Sequence, residues 1–105
     1  MSLRLPQNPD FSIRFETAAS ALEHEIAGEK AASLGRAGEA VEKALARLAD
    51  PEILAAEGRD ALLKAAAEAV WSFFVQREVL GLRDQGPAIR HYGIPRAVLV
   101  RLGAR

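Results

Sequence analysis

Possible metal ligands cluster around His24, which stands between Glu23 and Glu25. A zinc-protease helix needs a second histidine four residues later, but that position is Gly28. A di-iron helix needs a glutamate three residues before the histidine, but that position is Ala21. The pattern therefore favours solvated charges on a helix flank. The alternative is a metal site completed across a dimer, in which Glu23 or His24 joins Glu25 and Glu29, which share a helix face. We expect no metal.

No other constellation in the sequence indicates catalysis. Arg90, His91 and Tyr92 could form a proton-transfer group, but no further residue stands at a spacing that would orient them. The segment Gly-Arg-Ala-Gly at 35–38 lacks the Lys-Ser/Thr ending and the preceding strand of a phosphate loop. No serine lies in a nucleophile motif, and the chain has no cysteine. We predict that the protein is not an enzyme and that it uses no cofactor.

Charge is segregated along a chain that is neutral overall. The 14 basic and 14 acidic residues cancel, so no global field draws in nucleic acid or a membrane surface. Up to Leu82 the chain has 9 Lys/Arg against 13 Asp/Glu, whereas from Arg83 onward it has 5 Arg against Asp84 alone. Helix C-terminal capping and ion pairs with the acidic body explain these arginines, and contact with nucleic acid is the alternative.

Composition and periodicity predict an all-α fold. Half of the residues are hydrophobic, with few aromatic side chains, a balance that favours helices over strands. Two prolines and the alternation of Phe11, Ile13 and Phe15 predict an extended N-terminal arm over residues 1–16. Residues 17–105 are predicted to form a single helical domain, whose first long helix runs over 17–49.

Capping signals divide the remaining chain. Asp50 is predicted to be an N-cap, with Pro51 at the first helical position and Glu52 beside the positive end of the helix dipole. Gly58 and Gly81 mark the limits of a second long helix. The expected architecture is two long antiparallel helices followed by two short ones, with helices over 52–57, 59–80, 88–92 and 94–102.

The second long helix is apolar around most of its circumference. Its polar residues form one narrow stripe, whereas a surface helix shows a broad polar face. One neighbouring helix covers only one side, so we predict that two hairpins pair as a homodimer in a four-helix-type bundle. Folding of the C-terminal helices over this surface within one chain, and a ligand pocket lined by the aromatic rings, are the alternatives. The predicted dimer interface consists of Phe11, Ile13, Phe15, Val70, Trp71, Phe73 and Phe74.

Residues 88–102 resemble a helix-turn-helix of the pipsqueak and transposase type. The resemblance rests on the Tyr-Gly-Ile-Pro-Arg sequence at 92–96, with Ile89 before the glycine and Leu99 and Leu102 after it. In that family the second helix enters the major groove of DNA. Ala97 stands where such domains place polar side chains, so a hairpin packed on the bundle is preferred. The nucleic-acid contacts that the resemblance implies are Arg83, Arg90, His91, Arg96 and Arg101.

The chain as a whole resembles a family of small, uncharacterised bacterial helical proteins. The resemblance implies a helical domain that is complete over this length, and it implies no activity. It is carried by segments 22–26, 32–36, 69–71, 73–78, 81–84 and 92–96.

The function that these patterns favour is a self-associating structural or protein-interaction module. Its expected partners are a second copy and an unspecified protein, and DNA binding through residues 88–102 is the alternative. No apolar run reaches the roughly 18 residues that a membrane helix needs, and the N-terminus has no signal-peptide pattern. We therefore predict a cytoplasmic protein with no membrane partner.

Overall fold

The computed structural model describes residues 9–103, with side chains described from Thr17 onward. Residues 9–103 form five helices and no strand, which confirms the predicted all-α class. The chain divides into two compact units, Met1–Ala32 and Ser33–Arg105. The helices are α1 (Pro9–Ala49), α2 (Pro51–Glu57), α3 (Arg59–Val79), α4 (Gly86–Tyr92) and α5 (Arg96–Leu99).

Helix α1 begins at Pro9, earlier than the predicted start at Thr17. The prediction of an extended arm is therefore wrong for residues 9–16, whose backbone is helical. Proline is well tolerated at the first helical position, because the N–H that it lacks would have no partner there. Residues 1–8 lie outside the described part of the chain. The division into an arm and a domain at residue 17 stays a prediction.

The connection between α1 and α2 follows the predicted stop and start signal. The Asp50 carboxylate accepts hydrogen bonds from the backbone N–H groups of Glu52 (2.9 Å) and Ile53 (3.4 Å). Pro51 occupies the first position of α2, and Gly58 separates α2 from α3. Because such caps satisfy N–H groups locally, the sequence alone locates these boundaries to within a residue.

Helix α3 ends with backbone hydrogen bonds typical of a Schellman motif. The Leu82 N–H donates to the Arg77 carbonyl (2.9 Å). The Gly81 N–H donates to the Glu78 carbonyl (2.9 Å). Gly81 adopts a φ of +85°, which an L side chain rarely takes. The predicted glycine cap is therefore confirmed.

The Arg77 side chain fixes the connection between α3 and α4. Its Nε donates to the Gln85 Oε1 (2.7 Å), and its terminal nitrogen donates to the Asp84 carbonyl (3.1 Å). The guanidinium carbon lies 5.8 Å from the centre of the Phe73 ring. One side chain thus ties the start of α4 to the side of α3.

Helices α1 and α3 run antiparallel, as the predicted hairpin requires. The Ser33 hydroxyl of α1 donates to the Gln76 Oε1 of α3 (3.0 Å). Further along α1, Gly38 lies beside Phe73 of α3. Residue numbers therefore rise along α1 as they fall along α3.

The core of Ser33–Arg105 joins α1, α3 and the C-terminal helices. Val41, Val70 and Val98, one each from α1, α3 and α5, are fully buried. The Phe73 ring is also buried and meets the Tyr92 ring of α4 edge to face at 5.3 Å. The C-terminal helices therefore fold back over α3 within the same chain, which was the alternative to burial of this side between two copies. The dimer itself stays a prediction.

The last helix is shorter than predicted, because α5 ends at Leu99 instead of continuing to Leu102. After Leu99 the backbone tightens into three-residue hydrogen-bonded turns. The Arg101 N–H donates to the Val98 carbonyl (3.0 Å), and the Leu102 N–H donates to the Leu99 carbonyl (3.2 Å). Such tightening is common at helix C-termini, and the β-branched Val98 and Val100 lower the helix propensity of this segment.

Helix α1 and the Tyr92 side chain of α4 approach each other closely at Gly38. A Cβ atom at this position would collide with the Tyr92 hydroxyl and lie 3.2 Å from the Tyr92 Cζ. The Tyr92 ring has little freedom to retreat, because the buried Phe73 ring packs against it. Gly38 is therefore required by packing, whereas a Cβ at Gly35 would meet nothing within 4 Å.

We predict that Gly38→Ala lowers the free energy of unfolding by up to about 2 kcal/mol. This value combines an overpacking cost of about 1–3 kcal/mol with a gain in helix propensity of up to ~1 kcal/mol. Tyr92→Phe should recover part of the loss in the Gly38→Ala background, since it removes the colliding oxygen. Urea unfolding of the four proteins in this cycle measures the coupling.

Gly35→Ala is the matched control on the same helix. It should raise the free energy of unfolding by up to ~1 kcal/mol, because only the helix propensity changes. Equal effects of the alanine substitutions at Gly35 and Gly38 would contradict the close approach.

Candidate interaction surface

The arginines of the C-terminal segment are used in two ways. Arg101 is half-buried and donates to the Asp60 carboxylate at 2.7 Å, which ties the end of the chain to the start of α3. Arg83, Arg90 and Arg96 are exposed, as is His91. None of those three arginines takes part in an ion pair with another residue of the described range. An exposed pair is worth only about 0–1 kcal/mol, so Arg101 contributes orientation more than stability.

The hairpin for which a helix-turn-helix was predicted packs one side of its second helix against the rest of the chain. Gly93 takes the left-handed conformation between α4 and α5 (φ 62°, ψ 44°), as expected for the turn. Ile94 and Val98 are buried against the bundle. At 1.5 Å per residue α5 is only about 6 Å long, and a major groove is about 12 Å wide. The geometry therefore favours a packing role for the hairpin over insertion into DNA.

The residues of the predicted dimer interface are divided by burial. Val70 and Phe73 are buried by their own chain, and Phe74 is half-buried with its ring centre 6.2 Å from that of Phe73. Trp71 points to the other side of α3 and is exposed. Among the described members of the set, Trp71 thus presents the most surface to a second molecule. The side chains of Phe11, Ile13 and Phe15 lie outside the described range.

An apolar stripe continues from Trp71 along the exposed side of α3. Trp71, Val75 and Val79 recur every four residues and have exposed fractions of 46%, 37% and 77%. We name these three residues the α3 stripe. The predicted interface did not include Val75 or Val79, although their spacing from Trp71 was the available signal. Contiguous exposed apolar residues on a helix indicate a contact surface.

A groove adjoins the α3 stripe at Trp71. Its volume is about 1030 Å³, and it lies between the first half of α3 and the C-terminal turns. Charged side chains of both signs and small residues share its lining. The lining residues are Asp60, Ala61, Lys64, Ala67, Glu68, Trp71, Ser72, Arg101 and Gly103.

Within the unit Met1–Ala32, the part of α1 from residue 17 to residue 32 has every side chain exposed. Leu22 and Ile26, four residues apart, have exposed fractions of 57% and 46%. Their four-residue spacing is the sequence signal of an apolar helix face. We name residues 17–32 the acidic segment, because it carries Glu23, Glu25 and Glu29 against one lysine.

The residues considered in the sequence as possible metal ligands lie on the solvent-exposed surface of this segment. His24, Glu23 and Glu25 are all exposed. Within the described range no three His, Asp or Glu side chains come together in a way that could hold a metal ion.

None of the helices in the described range combines the length and the apolar character needed to cross a membrane.

Comparison with known proteins assigns the chain at the level of family. No curated protein and no solved structure matches the chain. The expected membership of an uncharacterised family is confirmed over the full length, and no activity comes with it. Because the model of DUF6665, a family of unknown function, matches residues 1–105, the chain belongs to that family.

Proposed function

We propose that this protein is a self-associating structural module, in which two copies pair through the α3 stripe. The observation that supports the proposal is the exposure of Trp71, Val75 and Val79 on one side of a helix whose other side is buried. A protein of this size gains from partner surface, because a small domain buries a smaller fraction of its apolar area than a large one.

A twofold axis that runs along α3 gives the simplest pairing of the two copies. Parallel α3 helices then place Trp71, Val75 and Val79 of one copy opposite the same residues of the second, so each apolar residue meets an apolar residue. Full burial of such a side chain is worth about 1.5–3 kcal/mol, and these residues are already partly covered. The six side chains therefore contribute several kcal/mol, against an association cost of about 4–15 kcal/mol. The stripe alone supports a weak dimer, which further contacts would strengthen.

The self-association proposal predicts that Val79→Glu prevents dimer formation. A carboxylate placed in the pairing surface loses its hydration or keeps the copies apart. Sedimentation velocity should show a dimer for the wild type at micromolar concentration and a monomer for the variant. Trp71 is the single tryptophan of the chain, so its emission should shift to the blue with rising concentration in the wild type alone.

Ala40→Glu is the matched control, since Ala40 is exposed on α1 away from the α3 stripe. It should dimerise as the wild type does. A wild type that sediments as a monomer at micromolar concentration contradicts the proposal.

The second candidate function is nucleic-acid binding, which the exposure of Arg83, Arg90 and Arg96 favours. The structural module predicts that a labelled DNA duplex shows no salt-sensitive affinity in fluorescence anisotropy. Nucleic-acid binding predicts that log K falls with log salt by about 0.9 for each phosphate contacted. A slope that decreases in Arg90→Glu/Arg96→Glu would support the second candidate over the first.

A further inference from the structure

The acidic segment of α1 contains no buried side chain. All of its side chains are exposed, and Gly28 within it lowers its intrinsic helix propensity. A helix of this length is marginal in water on its own, because most helix stability in proteins comes from packing of an apolar face. Its exposed Leu22 and Ile26 provide such a face.

The face that carries the apolar residues also carries negative charge. With 3.6 residues per turn, Glu25, Glu29, Leu22 and Ile26 fall within an arc of about 100°. A partner surface that covers the two apolar side chains therefore also meets two carboxylates. The chemistry that fits this face is an apolar contact bordered by cations.

The C-terminal part of the chain offers that chemistry. Leu82 is exposed and directly precedes the exposed Arg83. Arg90 on α4 and Arg96 at the start of α5 are also exposed, and no described carboxylate forms an ion pair with any of these three arginines. We name Leu82, Arg83, Arg90 and Arg96 the basic surface residues. The adjacent Arg101 differs, because Asp60 already neutralises it.

We propose that the acidic segment of one copy docks on the basic surface residues of a second copy. Leu22 and Ile26 cover Leu82, while Glu25 and Glu29 face the arginines. The inference rests on the proposed self-association and supplies the additional contact that the α3 stripe needs. Under twofold symmetry the contact forms twice, so the acidic and basic parts of the sequence neutralise each other between copies.

Charge reversal on each side separately tests the contact. Glu25→Arg/Glu29→Arg and Arg83→Glu/Arg90→Glu should each weaken dimerisation on the order of tenfold or more, since like charges are then opposed at both copies of the contact. An equimolar mixture of the two variants should recover the wild-type affinity in sedimentation velocity, because both contacts of the mixed dimer then join opposite charges. Within one chain the same reversals could not compensate, so recovery on mixing identifies a contact between copies.

Glu39→Arg/Glu42→Arg is the matched control. It makes the same change of charge on the same helix, at exposed positions beyond the acidic segment. This variant should dimerise as the wild type does and should not recover affinity for Arg83→Glu/Arg90→Glu. Far-ultraviolet circular dichroism confirms that each variant keeps its helix content.

Hydrogen exchange on the wild type gives a second measurement. Amides of residues 17–32 should be protected only at concentrations where the dimer is populated. Three results would each overturn the inference. They are a mixture that dimerises as weakly as its components, reversed variants that dimerise like the wild type, and hydrogen exchange of residues 17–32 that does not depend on protein concentration. If Val79→Glu still abolishes the dimer in those cases, the proposed function stands. A wild type that is monomeric contradicts both the proposed function and this inference.

Discussion

The packing of Ser33–Arg105 depends on the contact between Tyr92 and the backbone of α1 at Gly38. Because Gly38 has no side chain, the Tyr92 ring lies against the helix and closes over Phe73. That position brings α4, and with it the Gly93 turn, onto the two long helices. The buried Val98 of α5 then meets the same core as Val41 and Val70.

Closure of the C-terminal helices decides which side of α3 remains available. Val70 and Phe73 are covered by α4, α5 and α1, so the side that faces away retains Trp71, Val75 and Val79. Packing within the chain thus buries the side of α3 that would otherwise be available to a second copy. A surface for self-association persists because α3 carries apolar residues on more than one side.

Arg77 and Arg101 show that basic residues of this chain serve its own folding. Arg77 ties the α3 to α4 connection through Gln85 and the Asp84 carbonyl, and Arg101 pairs with Asp60. Arg83, Arg90 and Arg96 have no such role within the described range. The charge segregation noted in the sequence is therefore only partly explained by ion pairs among the described residues. The exposed arginines that form no ion pair among the described residues are the reason for proposing a contact between copies.

Local capping signals in the sequence located the boundaries between α1, α2 and α3 and the turns at Gly81 and Gly93, whereas the end of the last helix was predicted three residues too late. Asp50, Pro51, Gly58, Gly81 and Gly93 act through backbone hydrogen bonds and φ values within one turn, so their effect does not depend on distant residues. The start of α1 was missed because alternating large residues outweighed a proline that fits the first helical turn. Only the tertiary structure decided which residues of α3 are buried. Their burial depends on Tyr92 and Val98, which are distant from them in the sequence, and on the absence of a side chain at Gly38.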